Sequence, residues 1–396
     1  MRVLMLAPQP FLEPRGTPIS VYQRARGLGA LGHEVDLVTY HVGQDVRIPG
    51  VSIHRIPRVP FIRQVKVGPS WYKPLLDLLV LGKAIVLLAT RRYDVIHSHE
   101  EAAFFAMALS RLFRTRHVYD MHSSLPKQLA NFNFGNYRPI VGVFSALEKR
   151  VIASCDALIT IGSDLEQYAN GLNAGRKQVM IENMAVQDPD RPLDERAVAA
   201  VQDRWQLRGR LAVVYAGTFE RYQGIGLLLE TAKLVKERLP EVAFVLVGGK
   251  PDQVVHWQRE AIRLGVAECV HFAGTVPLGE SRAYLEAADI LVSPRTEGTS
   301  VPLKVYTYLE SGKPIVATNL PAHTLVLGED TAVLVEPRKE AFAEGILRLA
   351  GDPALRQRLG EQGRRVAAEK YGLEAYLARL RRAYGILEAP REPRAA

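Results

Sequence analysis

The 396-residue sequence predicts an α/β protein made of two doubly wound, parallel-sheet domains facing a central cleft. Three observations carry that expectation. Short Val/Ile/Leu-rich runs alternate with longer segments of helical period, the pattern of parallel strands covered on both faces. The alternation is interrupted at 187–196 by QDPDRPLDER, polar and with two prolines, and then restarts. The two halves also open alike. VLMLAP leads to a loop with Arg15-Gly16-Thr17 and a helix, and VVYAGT leads to a loop with Gly224 and a helix.

In chain order, the first half gives strands at 2–7, 34–39, 52–56, 94–99, 117–121, 157–162 and 179–183. Helical patterns cover 18–31, 74–91, 101–113 and 139–154. The second half gives strands at 211–217, 243–249, 270–274, 290–294, 314–318 and 332–336, with helices between them, one at 225–238. This repeats an architecture and not a sequence, and each half fits one doubly wound domain. The expected division is 1–186, a linker at 187–196, and 197–372. A helix at 373–387 is expected to cross back and brace the first domain, and the tail 388–396 to be disordered.

Composition narrows the class. Apolar residues make up 47% and charged residues 23%, as in a globular protein. The net charge of +9 suits an anionic partner such as nucleotide phosphate or an anionic lipid surface. No segment resembles a nucleic-acid module. Cys155 and Cys269 form neither a disulfide framework nor a metal cluster, which points to the cytoplasm. The opening MRVLMLAPQP is expected to be a buried strand, because it is too short and proline-broken for a signal-peptide core. The apolar run at 74–90 is broken by Asp77 and Lys83 and falls short of the ~20 residues a membrane span needs.

The chemistry concentrates in SPRTEGTSVPLKVYTYLESGKPIVAT, 293–318. A strand ends in a loop, and Pro302 suits the first turn of the helix that follows. Backbone N–H groups from Thr299 to Leu303 would then form a helix N-terminus able to take phosphate. Gly298 leaves the approach clear, and Lys304 adds a full charge. Glu297 would be repelled by phosphate, but its carboxylate accepts readily from sugar hydroxyls. Phosphate and sugar side by side describe a sugar nucleotide.

The same segment resembles the signature of glycosyltransferase family 4, whose members are retaining transferases of the two-domain GT-B fold. Glu297-Gly298-Thr299-Ser300-Val301-Pro302 and Gly312-Lys313-Pro314-Ile315-Val316-Ala317 carry the likeness. GALGHEVDLVT (29–39), YDMHS (119–123), the stretch 215–230 and VHFAGTV (270–276) extend it over nearly the whole chain. The resemblance implies catalytic roles for Glu297 and His122, with both of these, Gly298 and Thr299 at the transferred sugar. It implies that Gly16, Thr299, Ser300 and Val301 lie along the donor diphosphate and Val276 near the base. It further implies a UDP- or GDP-sugar as co-substrate, no other cofactor, no metal, and a glycan or lipid-linked acceptor in envelope or exopolysaccharide synthesis.

The chain departs from that pattern in specific places. An Arg and a Lys usual in the family fall here on Thr218 and Gln223, and the second Glu, a ligand of the nucleoside's ribose, falls on Thr307. Arg15 and Lys304 are the cations expected to clamp the diphosphate instead, with Thr218 and Gln223 lining the site. Asp188-Pro189-Asp190 mimics a metal-binding Asp-x-Asp but lies in the linker. His97 and His99 share a strand face without further ligands in view, so structural or acceptor-side roles are expected, with Glu100 and Glu101 beside them. The basic, aromatic region 55–92, with Arg55, Arg58, Arg63, Lys66, Lys73, Lys83, Arg91 and Arg92, suits an anionic membrane surface at the inner face of the cytoplasmic membrane. LANFNFGNYRPIVGVF (129–144) is a candidate wall for the acceptor. Two other readings share these features: a non-catalytic sugar-nucleotide-binding subunit and a sugar-nucleotide epimerase. A dinucleotide dehydrogenase is disfavoured, since no G-x-G-x-x-G follows the first strand.

Overall fold

A computed structural model describes residues 1–13, 16–65, 70–126, 138–172, 174–185 and 193–389. The chain divides into two compact units, Met1–Asn183 with Leu373–Ala396, and Met184–Gly372.

The first unit is built on a parallel seven-stranded sheet in the order β3-β2-β1-β4-β5-β6-β7. Its strands are β1 (Arg2–Ala7), β2 (Glu34–Thr39), β3 (Val51–Arg55), β4 (Val95–His99), β5 (Arg116–Met121), β6 (Ala157–Thr160) and β7 (Gln178–Met180). Val3 to Ala7 of β1 are all buried, which is why that run is continuously apolar and does not alternate. Leu4 and Leu6 pack with Val38 and Ile96 against Leu76, Val80 and Ala84 of α2 (Lys73–Thr90) and Ala102 and Ala106 of α3 (Ala102–Leu112).

The C-terminal helix Leu373–Gly385 belongs to this unit and buries Tyr376, Leu377, Leu380, Ala383 and Tyr384. It lies close to α1 (Gly16–Ala30): a Cβ on Gly27 would come within 2.9 Å of Leu380 and 3.1 Å of Tyr376. Truncating a buried leucine such as Leu380 typically costs about 2–5 kcal/mol.

The second unit holds a parallel six-stranded sheet in the order β10-β9-β8-β11-β12-β13. These are β8 (Leu211–Ala216), β9 (Val242–Val247), β10 (Val270–Gly274), β11 (Ile290–Ser293), β12 (Ile315–Thr318) and β13 (Val333–Val335). Both sheets reverse direction once, between β1 and β4 and between β8 and β11. In such sheets ligands bind beyond the carboxyl ends of the strands flanking the reversal. Gly224 shows how tightly that end is assembled. Its φ is +76°, and a Cβ there would meet the Pro294 carbonyl oxygen at 1.8 Å, so only glycine lets the helix Ile225–Arg238 begin against the loop after β11.

Two expectations change. Pro302 is not inside the first turn of its helix; it precedes Leu303–Ser311 as the capping residue, in extended conformation. The helix Glu195–Arg204 begins within the stretch read as linker, its N-terminus capped by Asp194 accepting from the Arg196 and Ala197 amides. The apolar run at 74–90 forms α2, but this helix buries only one face and turns Leu75, Leu78, Ile85 and Val86 to the outside. No helix among the described residues is long and apolar enough to cross a membrane. Asp188, Pro189 and Asp190, Lys66, and residues 129–137 of the proposed acceptor wall lie outside the described residues.

Candidate active site

In the first unit the ends of β4 and β5 meet in register, His99 opposite Asp120. Strand alternation puts His97 on the same face as His99. Asp120 is the hub of a fully buried cluster. Arg24 of α1 reaches it through Nε at 2.6 Å and Nη2 at 3.4 Å. His97 Nε2 lies 3.2 Å from its Oδ2, and His122 Nε2 lies 3.4 Å from its Oδ1. The C-terminal helix closes the cluster. Tyr376 accepts from Arg24 at 3.1 Å, and the Tyr384 hydroxyl lies 2.9 Å from His97 Nδ1.

The charge state of the cluster follows from its burial. Desolvation pushes the imidazoles of His97, His99 and His122 down, His122 to about 4, against the pull of Asp120. Desolvation works to raise the Asp120 carboxyl, yet Arg24, His122 and His97 hold it well below the usual carboxylate range. At neutral pH the cluster is one carboxylate and one guanidinium among neutral imidazoles. The expectation that His97 and His99 have no further ligand is corrected here. With Asp120 they bring three ligand atoms within 4.8 Å. Arg24 already compensates that carboxylate, so a cation placed there would sit beside a guanidinium, and the arrangement suits positioning rather than metal binding.

His122 belongs to the same cluster. Its side chain is turned into this cluster, with Nε2 3.0 Å from His99 Nδ1. Its Nδ1 is buried and has no partner among the described residues. Glu100, which follows His99, sits at φ +49°. Its carboxylate accepts from Thr17 Oγ1 at 3.5 Å and Ser123 Oγ at 2.9 Å, tying the start of α1 to the residue after His122. Burial, then Glu101, raises that carboxyl to about 8 against the Ser123 bond. Gly16 opens α1 and is exposed, with nothing within 4 Å of where a Cβ would be. Arg15 lies outside the described residues.

The second unit brings Thr218, Gln223 and Lys304 together around Tyr215. The Tyr215 hydroxyl donates to the Thr218 carbonyl at 2.7 Å and lies 3.3 Å from Gln223 Oε1. Lys304 Nζ donates to the same Oε1 at 3.1 Å and stands 3.8 Å from the centre of the Tyr215 ring. Burial, then the nearby Arg295, pushes this ammonium well below its ordinary range. Residue 223, where the family resemblance expects a lysine, is thus met by a lysine from the helix Leu303–Ser311.

Glu297, Gly298, Thr299 and Ser300 form an exposed tip beside this group, while Val301 packs back against the core. Arg295 lies beneath the tip. It donates from Nε to the Glu297 carbonyl at 2.6 Å and from Nη1 to the Ser300 carbonyl at 3.1 Å, with its guanidinium 4.9 Å from the Tyr222 ring. Thr307, a turn after Lys304, is buried, and Val276 is half-buried against the core. Neither belongs to the exposed tip.

Residues 15–184 match the family model described as glycosyl transferase 4-like domain, and residues 210–352 match that described as glycosyl transferases group 1. The chain belongs to glycosyltransferase family 4. This glycosyltransferase is 25% identical over 402 residues to the phosphatidyl-myo-inositol mannosyltransferase of Mycobacterium tuberculosis, covering 97% of this chain and 96% of the relative. It is 29% identical over 211 residues to the GDP-mannose-dependent alpha-(1-6)-phosphatidylinositol monomannoside mannosyltransferase of Mycolicibacterium smegmatis, covering 51% of this chain and 54% of that one. Among solved structures, sucrose-phosphate synthase of Thermosynechococcus elongatus superposes with a TM-score of 0.75 at 19% identity, over 98% of this chain and 99% of the other. Anabaena HepE in complex with UDP-glucose does so at 0.74 and 16% identity, over 97% and 99%. The architecture of the glycosyltransferase is therefore GT-B.

Sequence reasoning missed Arg295 and Asp120. Arg295 stands two residues before Glu297, a lone cation at a strand end. Asp120 lies within the YDMHS match, but its partners Arg24 and His97 are far away in sequence.

Proposed function

We propose that this glycosyltransferase moves a sugar, with retention at the anomeric carbon, from a GDP- or UDP-sugar to a lipid-linked or glycan acceptor. The bond from the anomeric carbon to the diphosphate oxygen breaks, and a bond to an acceptor hydroxyl oxygen forms. The acceptor's proton passes to the leaving phosphate, so the reading needs no metal. Retention rests on family membership. The mannosyltransferase relatives favour a GDP-linked hexose as the first donor to try and a phospholipid polyol as the first acceptor.

The observation that carries the donor side is the Lys304 ammonium against Gln223. A half-buried cation whose contacts among the described residues are an amide oxygen and a ring face lacks a counter-charge. A diphosphate supplies one. Stabilising a leaving phosphate with such a cation is worth about 3–4 kcal/mol in typical cases. Glu297 is assigned to the sugar's hydroxyls, His122 to the sugar on the first-unit side, and Thr299, Ser300 and Val301 to the diphosphate. Arg15 remains the second expected clamp; Val276 and Thr307 remain the residues assigned to the nucleoside.

A thermal-shift panel of sugar nucleotides tests this. A ligand at 100 times its dissociation constant stabilises by about 2.7 kcal/mol. One nucleotide series should raise the melting temperature, and Lys304→Ala should weaken the diphosphate by at least tenfold. Glu297→Ala should keep the bare nucleotide and lose the extra shift the sugar gives. A flat panel, or Lys304→Ala binding as tightly as the parent, would overturn the assignment.

A lipid-linked acceptor is favoured by the outer face of α2. Trp71 is 86% exposed and Leu78 62%, with Phe61, Leu75, Ile85 and Val86 also outside. Arg58, Arg63, Arg91 and Arg92 are exposed around them, and Lys73 and Lys83 half-exposed. Apolar side chains flanked by cations fit the headgroup boundary of an anionic membrane, which supports the reading of a peripheral enzyme at the inner face of the cytoplasmic membrane.

A further inference from the structure

The exposed tip at 297–300 has little to hold it from outside. Its shape is set from beneath by one side chain. Arg295 is fixed at its own backbone, where its carbonyl accepts from Thr318 Oγ1 at 2.6 Å and the next amide, Thr296, donates to the Tyr222 carbonyl at 3.0 Å. Its guanidinium lies over the Tyr222 ring, and its fork spans two carbonyls of the tip, Glu297 and Ser300. Gly298 makes room for it: at φ +107°, a Cβ there would lie 2.6 Å from Arg295 Nη2.

The consequence comes from the planar trans peptide. In each unit the C=O of one residue and the N–H of the next point in opposite directions. Drawing the Glu297 carbonyl inward turns the Gly298 N–H outward. Drawing the Ser300 carbonyl inward does the same for the Val301 N–H. Both donors then leave the tip on the side away from the guanidinium, where oriented amides form an anion-binding concavity.

We propose that Arg295 is a positioning residue for the transfer reaction, holding the Glu297–Ser300 tip so that the Gly298 and Val301 amides face the donor diphosphate. Its charge does not itself contact phosphate, so the residue acts through the loop it holds. A lysine cannot take its place, because a point charge does not span two carbonyls in a fixed fork. Among the described residues Arg295 pairs with no carboxylate, so the carbonyls and ring face account for its placement. The inference rests on the donor reading and names the residue that shapes the site.

The readout is the preference for nucleoside diphosphate over nucleoside monophosphate, measured by calorimetry, with kcat and KM alongside. Arg295→Ala should reduce that preference at least tenfold while binding of the nucleoside alone stays within twofold. Arg295→Lys, which keeps the charge, should lose most of the same preference and lower kcat more than it raises KM. An unchanged preference in folded Arg295→Ala overturns the inference. If that variant does not fold, Arg295→Lys decides, and parental preference and kcat there overturn it equally. A parent enzyme that does not prefer the diphosphate fails the donor reading itself, a result distinguishable from variants that match a discriminating parent.

Discussion

A methyl group on Gly298 would lie 2.6 Å from Arg295 Nη2, on a backbone held at φ +107°. Side chains rarely tolerate that region, and holding one there costs about 1–3 kcal/mol. The tip is exposed, so the structure can relieve the strain locally by displacing Arg295. Gly298→Ala should therefore lower kcat/KM by more than tenfold while the melting temperature falls by only a few degrees; a kcat/KM within twofold of the parent would show that the tip tolerates the change. At this scale the sequence showed the motif and hid its support. Glu297, Gly298 and Lys304 stand in one continuous stretch with a chemical pattern. The meeting of Lys304 with Gln223, 81 residues earlier, is a contact of the folded unit. Arg295 had no pattern to announce it, because a single arginine at a strand end is ordinary until its carbonyl partners are seen. The direction of the His122 ring was equally hidden, since it depends on Asp120 and on Arg24 from α1.

At the scale of elements, α2 separates what periodicity can tell from what it cannot. Its helical state followed from length and composition. Which apolar residues would remain outside did not, because Leu, Ile and Val recur on nearly every face of the segment. Leu76, Val80, Ala84, Leu87 and Leu88 are buried, whereas Leu75, Leu78, Ile85 and Val86 are not. If the outer face docks on lipid, binding to vesicles should need anionic headgroups and weaken with salt, because the flanking cations act over about a Debye length. Leu78→Glu with Trp71→Glu should weaken binding to anionic phospholipid vesicles at least tenfold in a sedimentation assay. Activity on a water-soluble acceptor should be unchanged, since neither residue belongs to the donor site. Vesicle binding equal to the parent's would remove this face from any role at a membrane.

At the scale of the molecule, the two parallel-sheet domains were legible because parallel strands and their crossover helices impose a composition and an alternation on the chain. The titration of the buried interior was not, since it depends on which imidazoles the fold closes off. His97, His99 and His122 in the first unit and His323 in the second all have their pKa lowered by burial, the last two to about 4. Below an unfolded value of about 6.5 the unfolded chain takes up protons that these folded imidazoles refuse, so stability falls with pH at about 1.4 kcal/mol per unit for each such group. Glu100 and Asp77 act in the opposite sense. Their carboxyls are raised to about 8 and about 7, chiefly by burial, so the folded state binds protons first and gains stability as pH falls toward the ordinary carboxylate range. Four imidazoles outweigh two carboxyls. Between pH 6.5 and 5 the net effect should be a loss of stability as pH falls. Melting temperatures across that range should therefore drop steadily with acid. His323→Gln, which cannot take up a proton in either state, should flatten the decline for the second unit's share. A melting temperature that holds level or rises from pH 6.5 to 5 would mean that these imidazoles are already charged in the folded protein, and the neutral cluster around Asp120 would have to be abandoned.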